Sequence, residues 1–378
     1  MKRPANDSSR SRIQSISGND IDTKNDFVYE TNPASSGAHA APYRDGSEAS
    51  PSEARSQKKT LSKRTKRIIK LDIILAIILI IALAFVYLFG GLTRVKLSDE
   101  ECGADSANSI QTDYDITNVV FLGIDRQENR SDTIMVLSVN KTTNTLKVIS
   151  LLRDSKVPIE GCRHQTKLGF AYKWGGAALA LKTINQNFHT DYNQYVAMNF
   201  ENVADIVDML GGVDIYLSAA EAYEVNFLGD DVGYFEDDAV EGWNHLNGQQ
   251  AVSYSRIREI DGEYERANRQ QVVMEAMFAQ LKNTSKLKYP IIISKVLRSL
   301  ETTLSFGDML GFASMDLNNL TIERYTIPDA DYDEGLWGGW ETVEGWDPEQ
   351  DSMIDETQWV WIYDIEAAAE RLMWIIYG

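Results

Sequence analysis

Histidine and cysteine are scarce in this 378-residue chain, with four of the former and two of the latter. The histidines are scattered, and Cys102 and Cys162 belong to no CxxC or Cys/His pattern, which argues against a zinc site. No Ser-His-Asp or Cys-His set is evident, which turns the search away from acyl transfer. Basic residues are also in short supply: 37 Lys and Arg face 56 Asp and Glu, a formal net charge of −19. The deficit is concentrated after residue 92, where 23 basic side chains face 47 acidic ones. So acidic a surface is unsuited to general nucleic-acid binding, which requires cations to neutralise phosphates. No repeat of fixed period is visible.

What is present divides the chain into regions. Residues 1–57 are rich in Ser, Asn, Asp, Ala and Pro without apolar periodicity, the pattern of a disordered tail. A basic segment follows at 58–70, with Lys58, Lys59, Lys63, Arg64, Lys66, Arg67 and Lys70. Next, "LDIILAIILIIALAFVYLFGGL" (71–92) has the length and all-round apolarity of a membrane-crossing helix, and Asp72 lies near its edge. The positive flank predicts a cytoplasmic N-terminus, placing residues 93–114 as a linker and 115–378 as a domain outside the cell membrane. An exported domain allows Cys102 and Cys162 to pair as a disulfide, the alternative being two buried thiols.

The outer region alternates strand-like and helix-like segments. "NVVFLGID", "DTIMVLSVN", "TLKVISLLRD", "QYVAMNF", "VDIYL" and "VSYSRIR" read as strands. "GGAALALKTINQNF", "ENVADIVDMLGG", "YERANRQQVVMEAMFAQLK" and "IEAAAERLMWIIYG" read as helices. The expected architecture is an α/β domain with a mixed central β-sheet flanked by helices. "EGLWGGWETVEGWDPEQD" reads as a polar, Gly-rich loop. Its tryptophans either stack on sugar rings or pack over the domain.

Against the acidic background, "SYSRIREIDGEYERANRQQ" places Arg256, Arg258, Arg266 and Arg269 within 14 residues. On a strand, Arg256 and Arg258 share a face. On the following helix, Arg266, Arg269 and Gln270 share another. Arginine forks and a helix start suit phosphate oxygens, whereas a solvated ion-pair surface with Asp261, Glu263 and Glu265 is the plainer alternative. In "GIDRQENRSDT", Asp125 ends one strand and Asp132 begins the next, with Arg130 between them. Two such carboxylates suit a hard divalent cation such as Mg2+, or serve as turn and cap residues. Arg153 and Asp154 follow another strand, and Lys167 lies in "HQTKLGFAY". This combination favours phosphoryl-group chemistry.

The order "VVFLGIDRQENRSDTIMVLSVN", "VISLLRD", "KLGFAYKWGG", "QYVAMNFENVADIVDMLGGVDIYL", "HLNGQQAVSYSRIREIDGEYERANRQQ" resembles the LytR-CpsA-Psr family, over roughly 115–282 and onward into the C-terminal part, 283–378. The resemblance implies a Mg2+-dependent cell-envelope phosphotransferase. Its partners would be a polyprenyl-diphosphate-linked glycopolymer, such as teichoic acid, and a peptidoglycan hydroxyl in cell-wall biogenesis. The family's metal carboxylates match Asp125 and Asp132, and Asp132 joins Arg153, Arg256 and Arg258 as the residues expected to act in catalysis. Arg130, Lys167, Arg266, Arg269 and Gln270 match diphosphate-binding positions. The Asp125-to-Asp132 loop is shorter than the family's usual one, "LLRD" lacks the usual proline, and "KLG" stands where Lys-Ile-Asn is common. A non-catalytic envelope module binding lipid-linked polymer for regulation or scaffolding is the competing class, and transfer of glycan to a surface protein is a variant of the enzymatic one.

Overall fold

The computed structural model describes residue 64, residues 70–80, 83 and 90, and 93–378 apart from 127, 231–237, 286–287, 334 and 348–351, all within Lys63–Gly378. The expected tail at 1–57 and most of the basic segment lie outside the described residues. Residues 70–80 are helical with exposed leucines and isoleucines, while most of 81–92 lies outside. Among the described residues no helix is long and apolar enough to cross a membrane.

Thirteen strands are described: β1 Thr93–Arg94, β2 Ile116–Asp125, β3 Arg130–Asn140, β4 Thr145–Leu151, β5 Lys156–Val157, β6 Thr166–Lys167, β7 Tyr195–Asn199, β8 Val213–Leu217, β9 Gly242–Leu246, β10 Glu301–Thr302, β11 Thr321–Ile327, β12 Trp337–Asp347 and β13 Ser352–Ile362. The helices are α1 Asp99–Cys102, α2 Phe170–Phe188, α3 Phe200–Leu210, α4 Ala219–Asp230, α5 Gly248–Arg256, α6 Glu263–Asn283, α7 Tyr289–Ser299, α8 Phe306–Ala313 and α9 Ile365–Tyr377. Seven strands form one mixed sheet in the order β1-β10-β7-β2-β3-β4-β11. Its centre, β2-β3-β4, is an antiparallel meander, with β7 parallel to β2 and β11 parallel to β4.

The central strands are near-continuous apolar runs because both faces are covered. Val120, Leu122, Val136 and Ile149 point to one face and pack with Leu181, Ile184 and Phe188 of α2 and Leu372 and Ile376 of α9. Phe121, Met135 and Leu137 point to the other, toward Met274 and Phe278 of α6. The expected mixed sheet between helical layers is what the chain forms.

Two segments differ from expectation. "VSYSRIR" lies not in a strand but largely in α5. Asn247 caps that helix and Gln250 bonds back to it, a reciprocal cap that starts a helix despite the β-branched and aromatic content downstream. Gly248 fits there because a Cβ would meet the Ala204 carbonyl oxygen at 2.1 Å. The Gly-rich tryptophan segment is not a loop. It forms β12, paired residue for residue with β13, including Trp340 opposite Trp359. Gly338 and Gly339 sit beneath indole rings rather than in turns: a Cβ on Gly338 would meet Trp359 Cζ2 at 2.5 Å. Helix α2 starts before the predicted "GGAALALK", with non-helical angles at Gly175 and Gly176.

Cys102 and Cys162 are free thiols, not the disulfide that compartment alone favoured. Cys102 turns back on its own short helix, its Sγ 3.3 Å from the Ser98 carbonyl. Burial, with Glu344 nearby, pushes the Cys162 thiol up to about 11.

The β8–β9 ribbon carries a pH-sensitive contact. His245 Nδ1 is 2.6 Å from Asp214 Oδ1 and its Nε2 is 2.6 Å from the Gly211 carbonyl, so both nitrogens face acceptors. These bonds raise the imidazole above its usual 6.5 against a smaller opposing effect of burial. The contribution is therefore complete below pH 6.5 and lost as pH rises through the elevated value. His245→Gln should remove that pH dependence from the thermal midpoint, flattening a difference on the order of 0.5 kcal/mol for this half-exposed pair.

Candidate functional site

The site begins at an irregularity in the sheet. Gly123 pairs with Thr133 and Ile124 with Ser131, so the register shifts and Asp132 has no cross-strand partner. Such a bulge re-aims a side chain. Gly123 permits it, because a Cβ there would lie 2.8 Å from Thr133 Cβ. Asp132 Oδ1 accepts from Arg130 Nε at 2.9 Å and from Arg153 Nη1, and its backbone carbonyl accepts from Arg266 Nη2 at 3.1 Å.

Arg153 follows β4, where the chain leaves the sheet. Its Nε lies 3.1 Å from Glu263 Oε1 and 3.8 Å from Asp154 Oδ2. Lys167 Nζ reaches Asp154 Oδ1 at 3.0 Å from β6. Glu263 and Arg266 occupy the first turn of α6 and contact each other. Three strand ends and one helix start thus bring their charged groups together.

The electrostatics are strongly coupled. Burial opposes ionisation of Asp132, but the guanidinium groups of Arg153, Arg130 and Arg266 outweigh it and hold the carboxyl below its usual value. For Glu263 burial wins and lifts the carboxyl above the usual range, despite Arg266 and Arg153. Arg153 is buried, yet Glu263, Asp154 and Asp132 reinforce its charge. Arg266 Nε and Gln270 Nε2 are buried donors without a hydrogen-bond partner among the described residues. Buried donors are nearly always satisfied, so both have capacity left for a ligand atom or water.

Two cavities meet this cluster. A charged one of about 250 Å³ is lined by Arg130, Arg153, Asp154, Lys167, Arg258 and Trp359, among others. An apolar one of about 280 Å³ lies between the sheet and helices α3, α6 and α7, lined by Phe121, Met135, Phe200, Met274, Phe278 and Val296, among others. Thr133, Ser255 and Gln270 are the polar residues of its lining. Thr133 directly follows Asp132, and Gln270 is one turn beyond Arg266, so the apolar cavity adjoins the cation cluster.

Arg130, Asp132, Arg153, Lys167, Arg258 and Arg266 are therefore assembled around one place. Arg256 is not among the residues lining the charged cavity. The helical course of α5 removes the same-face relation with Arg258, and the Arg256 guanidinium lies 5.8 Å from the centre of the Phe200 ring. Arg269 is turned away, clamped by Asp261 at 2.8 Å, Glu221 at 2.9 Å and the Ile257 carbonyl at 3.2 Å. Arg269→Ala should accordingly act on stability. Removing one partner of a buried ion pair costs about 3 kcal/mol, and chemical denaturation should show that loss while affinity for inorganic pyrophosphate changes little.

Asp125 ends β2 directly opposite Arg130. Among the described residues no group of three or more His, Cys, Asp or Glu side chains is placed to hold a metal ion. A Mg2+ ion commonly takes only one or two carboxylates and completes its shell with phosphate oxygens and water. Asp125 and Asp132, on adjoining strand ends, supply the two carboxylates of that requirement, with Asp132 Oδ1 engaged by Arg130 and Arg153. Glu263 escaped sequence reasoning as a site residue because its acidic neighbours suggest a solvated turn. Its spacing of three from Arg266 at a helix start was the available signal.

A sequence profile of the LytR_cpsA_psr family matches residues 86–357. The chain is 33% identical over 201 residues to a polyisoprenyl-teichoic acid–peptidoglycan teichoic acid transferase TagU of Enterococcus faecalis, covering 51% of this chain and 63% of that protein. The match thus spans just under two thirds of that relative's length. Among solved structures, "TagT bound to LIIa-WTA" aligns with a TM-score of 0.57 at 23% identity, over 74% of this chain and 98% of the other. A LytR-CPS2A-psr family protein YwtF (TagT) with bound octaprenyl pyrophosphate lipid aligns with a TM-score of 0.53 at 22% identity, over 74% and 98%.

Proposed function

The chain belongs to the LytR-CpsA-Psr family, and from that premise we propose that it transfers a glycopolymer from a polyprenyl-diphosphate carrier to a peptidoglycan hydroxyl at the outer face of the cell membrane. The observation that carries the proposal is an apolar cavity whose lining reaches Thr133 and Gln270, next to Asp132 and one turn from Arg266, beside a cation-lined pocket that holds Arg153 and Lys167, a pairing that suits a lipid with a diphosphate head. The names of the transferase relative and of the lipid-bound structure support the same class of ligand. The apolar run at 71–92 and its basic flank support membrane anchorage with the N-terminus inside.

In this reading the prenyl chain enters among Met135, Met274, Phe278 and Val296, and the diphosphate lies against Arg153, Arg258, Arg266 and Lys167. The acceptor hydroxyl oxygen bonds to the polymer-side phosphorus as the bridging P–O bond breaks; prenyl phosphate leaves with the bridging oxygen, and the hydroxyl proton is released to solvent. Charge accumulates on that leaving group. Arg153 and Arg266, already fixed by Asp132 and Glu263, meet it without reorganisation. Asp125 and Asp132 would hold Mg2+, which supplies further neutralisation of the diphosphate.

The test is turnover by the full chain in detergent, with a synthetic polyprenyl-diphosphate-linked sugar and peptidoglycan fragments, with and without Mg2+. Mass spectrometry should detect sugar-phosphate joined to the acceptor together with free prenyl phosphate, both lost on chelation. Lipid binding without product in the presence of acceptor and Mg2+ would favour the non-catalytic module.

A further inference from the structure

The β12–β13 hairpin is tied to the segments that carry the charged pocket. Trp361 N–H donates to the Asp154 carbonyl at 2.9 Å, Lys156 pairs with Glu341 at 3.0 Å, and Thr166 Oγ1 donates to the Glu344 carbonyl at 2.7 Å. Asp154 and Lys167 line the pocket, and Thr166 and Ser155 are their immediate neighbours. The hairpin is thus fixed to the pocket wall rather than hanging from it.

One of its faces is built of tryptophan. Trp340 and Trp359 are cross-strand partners and Trp361 is two residues on, so all three share a side. They grade from protein to solvent. Trp361 packs against the main core, Trp359 meets it edge-on with ring centres 4.7 Å apart and lines the charged pocket, and Trp340 is 71% exposed. Gly338 leaves room for the Trp359 ring over the β12 backbone. Core packing accounts for Trp361. It does not account for an exposed indole placed beside one that walls a cation pocket.

We propose that Trp359 and Trp340 form a sugar-stacking subsite for the first sugars of the lipid-linked donor. This rests on the diphosphate reading above and extends it. Flat indole faces suit the C–H faces of pyranose rings, and tryptophan combines a large apolar surface with a polar edge. Continuity selects the donor as occupant. The sugar attached to the terminal phosphate is one ester linkage from the pocket that Trp359 lines. Among the described residues the hairpin contributes nothing to the lining of the apolar cavity, which draws on β2, β3, β7, α3, α5, α6 and α7. Apolar cavity, charged pocket and tryptophan face correspond in turn to prenyl chain, diphosphate and sugar.

The experiment is isothermal titration of the full chain in detergent with a short polyprenyl diphosphate and with the same lipid carrying an N-acetylhexosamine on its terminal phosphate. The sugar should improve wild-type affinity roughly tenfold. Trp340→Ala should remove most of that gain while affinity for the bare diphosphate stays within about twofold, and Trp340→Phe should keep part of it. No sugar gain in the wild type, or equal loss for both lipids in Trp340→Ala, would overturn the subsite and leave the diphosphate reading standing. Loss of peptidoglycan-fragment binding in Trp340→Ala with the sugar gain intact would reassign the face to the acceptor and overturn the donor assignment. Failure of the wild type to bind the bare lipid would refute the diphosphate reading and the subsite with it.

Discussion

Arg153→Ala should abolish measurable transfer and destabilise the domain at the same time. The guanidinium is buried and touches Asp132 and Glu263, with Asp154 close by. Its removal leaves these carboxylates facing one another, at a cost of about 3–5 kcal/mol for a broken buried pair. Transition-state charge also loses a preorganised donor, and turnover should fall by roughly a thousandfold or more. Arg153→Lys separates the two effects. A lysine restores a positive charge and should recover most of the thermal midpoint. It lacks the planar fork that spans two oxygens, so turnover should stay low. A lysine variant with near-normal turnover would show that position 153 supplies charge alone.

Val296→Phe should move stability and lipid binding in opposite directions. Val296 lies on α7 and lines the apolar cavity. In a filled core the larger ring would be overpacked and destabilising by about 1–3 kcal/mol. In a cavity kept open for a ligand it gains contacts, and the thermal midpoint of the lipid-free protein should rise by about 2 °C. The same ring displaces prenyl carbons. Each excluded methylene costs about 0.8 kcal/mol, so even two reduce affinity for a long-chain prenyl diphosphate roughly tenfold or more. Inorganic pyrophosphate, with no chain to exclude, should bind as before. A fall in both stability and long-chain affinity would mean that the space is ordinary core.

The sheet was legible in the sequence because β2, β3 and β4 are buried on both faces and therefore read as unbroken apolar runs. The charged cluster was legible in part. Arg130, Asp132, Arg153 and Lys167 lie at or just beyond strand ends, where a short polar motif breaks an apolar run. Arg256 and Arg269 were harder to place. A strand and a helix give an arginine different neighbours, and the decision at "NGQQAVSYSRIR" rested on the Asn247–Gln250 cap rather than on the β-favouring residues that follow it. Arg269 shares a helix with Arg266, but Asp261 and Glu221 claim its guanidinium, and Glu221 is distant in sequence. The tryptophan hairpin was obscured by its glycines, which ordinarily punctuate turns. Here Gly338 makes room for the Trp359 and Trp361 rings on the facing strand, a reason that appears only once the strands are paired.

The central claim is that the cation cluster and the adjoining apolar cavity hold the two ends of one lipid. The most direct measurement is an experimental structure of the full chain with a polyprenyl diphosphate. The account predicts phosphate oxygens within hydrogen-bond distance of Arg153, Arg258 and Arg266, and prenyl density running past Thr133 and Gln270 to Met274 and Val296. Diphosphate bound elsewhere, or a prenyl chain outside that cavity while the cluster holds the head, would contradict it.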